Sequence, residues 1–282
     1  MNILVPTDFS HDAYNALFYA TQLYKHQKCT FHILHVYDRQ SHFKEEYRGN
    51  RHDKGLQQFL NDRATECLQE TYHKIITDTD KNPRHNFLTF PKNGYLIKAT
   101  KDYIATNRID LLVMGNKGRT GAKEIFLGGN TIQMVKSQIS CPVLCIPREI
   151  DFKTISQVAY ITDYKHTLTN RTFDTLRSLA LTYEASLHIL HISVDGRINS
   201  SQEKNKELLS EYFDDVCLRF HTSARQKSKA MTVAHFVKEH KIDLLAIVYY
   251  RHYLLDKLFR EPVVLDLSFY VEIPLLILPD QD

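Results

Sequence analysis

The chain has 282 residues, which makes room for roughly two ordinary domains, each able to bury a core of its own. With 43% apolar and 24% charged residues, nine Gly and eight Pro, its composition excludes collagen-like, low-complexity and wholly disordered chains. Lys and Arg number 36 against 33 Asp and Glu, and a net +3 gives no general field for nucleic acid or an anionic membrane, so neither is expected as a partner. The first element predicted is a strand at Asn2 to Pro6, almost continuously apolar as a strand covered on both faces should be. Ser10 then reads as the N-cap of a helix whose Ala13, Ala16, Leu17, Ala20, Leu23 and Tyr24 share one stripe. Thr30 to Tyr37 is a second strand, and a polar connection from Asp38 to about Lys54 leads to a helix near Leu56 to Ile76. A weaker strand at about His85 to Phe90 precedes a helix from about Tyr95 to Thr106. Asp110 to Met114 is the fourth strand, and a short helix near Thr131 to Ser137 precedes a last strand at Pro142 to Ile146. Short apolar runs alternating with helical patterns are the mark of βα units around a parallel sheet.

The chain then repeats itself. His32-Ile33-Leu34-His35-Val36 returns as His188-Ile189-Leu190-His191-Ile192, Ile109-Asp110-Leu111-Leu112 as Ile242-Asp243-Leu244-Leu245, and Thr7-Asp8 as Thr162-Asp163. Cys141-Pro142-Val143-Leu144-Cys145-Ile146-Pro147 is echoed by Ile273-Pro274-Leu275-Leu276-Ile277-Leu278-Pro279. Motifs returning in one order indicate a tandem duplication with a joint near Arg148 to Ser156. The second copy has a poorly defined third strand near Val216 to Phe220, and the basic stretch Arg219 to Lys229 reads as a solvated loop.

In an open doubly wound sheet, ligands bind outside the carboxyl ends of the strands, where strand order reverses. Strand one is followed by Pro6-Thr7-Asp8-Phe9-Ser10, and strand four by a stretch from Gly115 to Thr131 that holds five of the nine glycines. Glycine permits close approach of backbone to a ligand, and a helix start offers N–H groups and positive potential to phosphate. Tight turns and helix capping would account for the same residues. Neither GxxxxGK[ST] nor a GxGxxG after strand one is present.

Gly115-x2-Gly118-x9-Gly128, lying between an Ile-Asp-Leu-Leu-Val-Met strand and a Cys-Pro-Val-Leu strand, resembles the nucleotide loop of the universal stress protein family. Ile3-Leu4-Val5-Pro6-Thr7-Asp8-Phe9-Ser10 and Leu34-His35-Val36 match the same family, and the echoes in copy two extend the resemblance over nearly the whole chain. The resemblance implies two doubly wound, parallel-sheet α/β domains of the adenine nucleotide α-hydrolase type, residues 1–148 and 156–282. They would form an intramolecular pseudo-dimer in which the final strands Pro142 to Pro147 and Pro274 to Pro279 pair and hide two sheet edges.

It also implies an adenine nucleotide ligand, ATP or AMP, with Mg2+ accompanying ATP. Asp8 would accept from the ribose, Pro6, Thr7 and Val36 would line the adenine slot, and Met114, Gly115 and Gly118 would cover ribose and α-phosphate. Gly128, Gly129, Asn130 and Thr131 would offer donors to the later phosphates. The family usually carries Ser or Thr where this chain has Gly129, a loss of about 0.5–1.5 kcal/mol of hydrogen bonding that leaves the backbone donors in place. Lys117, Arg119 and Lys123 would add charge nearby or simply face solvent. Copy two has no glycine beyond Gly196 and runs into Tyr249-Tyr250-Arg251-His252-Tyr253, so it is expected to be degenerate and free of nucleotide.

Other residues point to packing. His32 and His35, like His188 and His191, are three apart in a strand and so face opposite ways, and His235 and His240 share no helix face; no metal site is expected. Cys141 and Cys145 are about 13 Å apart along a strand, too far for a disulfide. Five cysteines with no CxxC pair and no leader-like N-terminus suggest reduced thiols in the cytoplasm, and no apolar run is long enough to span a membrane. No catalytic residue is assigned, because no base or water-positioning group stands out, although slow ATP hydrolysis stays open. Two functions remain in view: a nucleotide-responsive stress regulator acting on an unidentified protein partner, and a nucleotide-independent adaptor. Association of two chains is left open by the sequence.

Overall fold

A computed structural model describes residues 1–37, 54–116, 129–148, 150–165, 170–193, 197–224, 228–249 and 272–280. Within them the chain falls into two compact units, Met1–Gly115 and Asn116–Asp282. The first unit contains β1 (Asn2–Pro6), α1 (His11–Leu23), β2 (Cys29–Tyr37), α2 (Lys54–Asp78), β3 (His85–Asn93), α3 (Leu96–Asn107) and β4 (Leu111–Gly115). Its strands lie in the order β3-β2-β1-β4, and every pairing is parallel. The chain therefore winds outward from β1 to β3 and then returns past β1 to lay down β4.

Helices cover the strands, and Ile3, Leu4 and Val5 are buried as their unbroken apolar run requires. Helix α1 starts where Ser10 accepts the Ala13 N–H at 3.3 Å, and its Ala13, Ala16, Leu17, Ala20 and Leu23 are buried. Burial of Leu17 and Leu23 contributes roughly 1.5–3 kcal/mol each.

The second unit contains α4 (Gly129–Lys136), β5 (Val143–Ile146), β6 (Gln157–Thr162), α5 (Asn170–Thr182), β7 (Ser186–Ser193), α6 (Ser200–Tyr212), β8 (Leu218–Ala224), α7 (Lys229–Glu239), β9 (Leu244–Tyr249) and β10 (Leu275–Pro279). Its strand order is β5-β10-β9-β6-β7-β8. All neighbours are parallel except β5 and β10, which run antiparallel with Leu275 opposite Cys145 and Ile277 opposite Val143. The pairing expected between the two final strands is thus present, and it ties β5 to the C-terminal strands. Cys141 and Cys145 are buried and in no disulfide, and burial pushes the Cys145 thiol up to about 12.

The recurring Ile-Asp-Leu-Leu motif has a structural role in both units. Asp110 accepts the Asn2 N–H on its carboxylate at 2.7 Å and donates its own N–H to the Asn2 carbonyl at 2.9 Å. Asp243 does the same for Gln157, at 2.9 and 2.8 Å, and also accepts from the Ser156 N–H and hydroxyl. In each unit this aspartate locks the start of the inner strand to its neighbour.

One expectation is corrected. The stretch read as a solvated basic loop from Arg219 is a strand as far as Ala224: β8 borders the sheet, and its residues are exposed or half-buried, without the buried apolar run that marks an inner strand in sequence. The connection from Asp38 up to Lys54 lies outside the described residues.

Candidate functional site

Strand order in the first unit reverses between β1 and β4, and the residues that follow or end these strands are Thr7, Asp8, Met114 and Gly115. The turn after β1 is held at several points. The Thr7 N–H donates to the Leu34 carbonyl at 2.9 Å, and His35 Nδ1 donates to the Thr7 carbonyl at 2.8 Å. Thr7 Oγ1 accepts the Phe9 N–H at 3.0 Å, and the Asp8 carboxylate accepts from the Ser10 N–H at 3.0 Å and from the Ser10 hydroxyl.

Phe9 takes a left-handed backbone conformation, φ 62°, a geometry that costs a non-glycine residue about 1–3 kcal/mol. These hydrogen bonds and the ring of His35, 4.3 Å from that of Phe9, hold it there. Asp8 is exposed, Pro6, Thr7 and Val36 are half-buried, and Met114 is buried.

Gly115 has a packing reason to be glycine. A Cβ on it would lie 2.4 Å from the Asp12 carbonyl oxygen and 3.2 Å from the Ala13 nitrogen, so the first turn of α1 occupies the space a side chain would need. In the second unit, Gly129 and Asn130 are exposed at the start of α4, Thr131 is buried, and no atom of the described residues stands within 4 Å of a Cβ built on Gly129. Asn116 donates its N–H to the Ile146 carbonyl at 2.9 Å, and its buried Oδ1 has no hydrogen-bond partner among the described residues. Gly118, Gly128, Lys117, Arg119, Lys123, Tyr250, Arg251, His252 and Tyr253 lie outside the described residues.

The turn after β6 repeats this construction. Thr162 Oγ1 accepts the Tyr164 N–H at 3.0 Å, Asp163 accepts the Lys165 N–H at 3.0 Å, and His191 Nδ1 donates to the Thr162 carbonyl at 3.1 Å. Tyr164 takes φ 55° with its ring 5.1 Å from that of His191. Here helix α6 adds two partners. Gln202 Nε2 donates to the Asp163 carbonyl and Asn205 Nδ2 to the Tyr164 carbonyl, both at 2.7 Å and both from buried side chains.

Gln202 also closes a capping box with Asn199, a signal readable in Asn199-Ser200-Ser201-Gln202, yet its reach to Asp163 was not. Val248 stands at the position in its Ile-Asp-Leu-Leu strand that Gly115 holds in the first. Tyr249 is half-buried, and burial raises its pKa.

Imidazoles also gather elsewhere in the second unit. His188 of β7, His221 of β8 and His240 at the end of α7 bring one nitrogen each within 4.8 Å of one another. His221 lies in the basic stretch that has the sequence of a solvated loop. Its one signal is the alternation of Arg219, His221 and Ser223.

Residues 1–147, just over half of the chain, match the model of the universal stress protein family. No curated protein matches. A universal stress protein from Archaeoglobus fulgidus DSM 4304 has a similar structure, with a TM-score of 0.74 at 14% identity over 99% of this chain and 98% of that one. The putative universal stress protein from Pseudomonas aeruginosa UCBPP-PA14 gives 0.59 at 14% identity, over 99% of this chain and 93% of that one. The cytoplasmic domain of a prokaryotic cation chloride cotransporter gives 0.52 at 10% identity, over 99% and 95%. Such identities speak for the fold alone, and the last shows that the fold is not tied to one role. No helix among the described residues is long and apolar enough to cross a membrane. With the glycine-bearing strand end, the Thr7-Asp8 turn and the family model falling on the same residues, the chain belongs to the universal stress protein family.

Proposed function

We propose that this protein binds an adenine nucleotide, ATP or AMP, through its first repeat, residues 1–148, and acts in the cytoplasm as a regulator of stress responses. The second repeat, residues 156–282, carries no nucleotide. The observation that carries this reading is the reversal of strand order at β1 and β4, the place where parallel α/β sheets take ligands, with the exposed carboxylate of Asp8 following β1.

Asp8 accepts from the ribose hydroxyls, Pro6, Thr7 and Val36 bound the adenine, and Met114, Gly115 and Gly118 lie along ribose and α-phosphate. The α4 start at Gly129, Asn130 and Thr131, with Gly128 before it, supplies N–H donors to later phosphates, and Mg2+ accompanies ATP. The chain's own groups bind and orient the nucleotide, and a nucleotide that favours one conformation over another shifts the surface shown to a protein partner.

Isothermal titration of the nucleotide-stripped full-length chain with ATP and with AMP tests the reading. One equivalent should bind, and Asp8→Ala should weaken binding by about tenfold or more, as loss of a charged hydrogen-bond acceptor does. No heat and no thermal shift at millimolar nucleotide would leave the nucleotide-independent adaptor as the function.

A further inference from the structure

His188 is buried on β7 with its ring stacked on that of His221, planes 12° apart, and His188 Nδ1 lies 3.0 Å from His221 Nε2. The other nitrogen of His188 donates to Gln157 Oε1 at 2.7 Å. That bond puts the proton on Nε2 and turns the Nδ1 lone pair toward His221, as carboxylate and carbonyl partners orient metal-binding histidines. His240, the C-cap of α7, closes the group, its ring 4.7 Å from that of His221 and 5.4 Å from that of His188. The carbonyl end of α7 favours positive charge at this place.

The first unit holds the same slot without this chemistry. There His32 stacks on Phe90, the counterpart of His221, and bonds through Nδ1 to the Tyr103 hydroxyl at 2.8 Å. Tyr103 corresponds to Phe236 and Asn107 to His240. One unit thus packs a single imidazole among aromatic rings, while the other gathers three.

We propose that His188, His221 and His240 form a binding site for one Zn2+ ion, with water as fourth ligand. Zn–N bonds of about 2.0–2.1 Å at tetrahedral angles set imidazole nitrogens about 3.3 Å apart. The His188–His221 pair is already at 3.0 Å, and rotation of the half-exposed His240 brings in the third nitrogen. Burial and the neighbouring imidazoles and Arg219 keep His188 and His221 neutral, the form that ligates a metal. Arg219 on β8 opposes a cation, while Glu239 on α7 favours one, so Zn2+ must win by ligation rather than by net charge.

The test uses the full-length chain, stripped with a chelator and titrated with Zn2+ by calorimetry and with Co2+ by visible absorption. One Zn2+ per chain and the absorption of tetrahedral Co2+ are expected. His221→Phe and His240→Asn install residues that the first unit carries at these positions, so both should fold, as circular dichroism and melting will verify. Each should weaken Zn2+ by at least about 100-fold, the upper end of what loss of a mere orienting partner costs, while His235→Ala leaves it unchanged. Absence of saturable Zn2+ binding, or equal affinity in wild type and both variants, would overturn the site and leave an aromatic packing cluster.

Discussion

The turns after β1 and β6 are built from the same parts but end in different surroundings. Both use a threonine hydroxyl to hold a left-handed aromatic residue, both fold an aspartate back on the backbone, and both fasten the threonine carbonyl with a histidine from the next strand. In the second unit, α6 delivers Gln202 and Asn205 to the carbonyls of that turn, and valine replaces the glycine that ends β4. The two turns share a scaffold and differ in what reaches it. Geometry common to both units serves folding whatever else it does, and what can separate their functions lies where the units part.

The largest effect should come from copying the second unit into the first. Gly115→Val puts a Cβ 2.4 Å from a helix carbonyl, and backbone cannot yield as a flexible side-chain tip can. We expect a loss of about 3 kcal/mol in urea unfolding, the upper part of the range for overpacking. A loss below about 1 kcal/mol would mean that α1 shifts freely, and that packing does not explain this glycine.

Next in size is Asn205→Ala, which leaves the Tyr164 carbonyl without its amide in a buried place. A cost of about 1–3 kcal/mol is expected, as for other buried groups deprived of a partner. The variant should gain no nucleotide binding, since Val248 still stands where the first unit has glycine. Binding gained by this one change would show that α6 alone separates the two units.

Much of the architecture was legible in the residues. Strand β1 is legible in its unbroken apolar run, α1 in Ser10 and the spacing of Ala13, Ala16, Leu17 and Ala20, and the final strand pairing only through the family resemblance that the matching Pro-flanked motifs carry. Edge strand β8 was harder, because a strand with polar residues on an open face lacks an apolar signature. Gly115 signals close approach of backbone, expected toward a ligand, and the neighbour found there is the start of α1. The histidine cluster was out of reach, because residues 188, 221 and 240 meet only once the register of β7 against β8 is known. His188 and His191 do face opposite ways on β7, but spacing along one strand carries no information about a histidine on the neighbouring strand.

The smallest effect contrasts His188 with His32, its counterpart. Burial lowers the pKa of both, but the imidazoles of His221 and His240 and the charge of Arg219 push His188 further, to about 4. Above the ordinary histidine pKa of about 6.5, His188 is neutral in folded and unfolded chains alike, and pH changes nothing. Below it the unfolded chain takes up a proton that the folded protein refuses, so stability falls with falling pH until His188 itself is protonated near 4. In the presence of a chelator, the melting temperature of wild type should drop between about pH 6.5 and 4, and His188→Gln should show a shallower drop over that window. Only the slope decides, since the variant has its own cost at neutral pH. If His32→Gln flattened the profile as much as His188→Gln, the two stacked rings would be equivalent, and the added imidazoles of the second unit would have no electrostatic consequence.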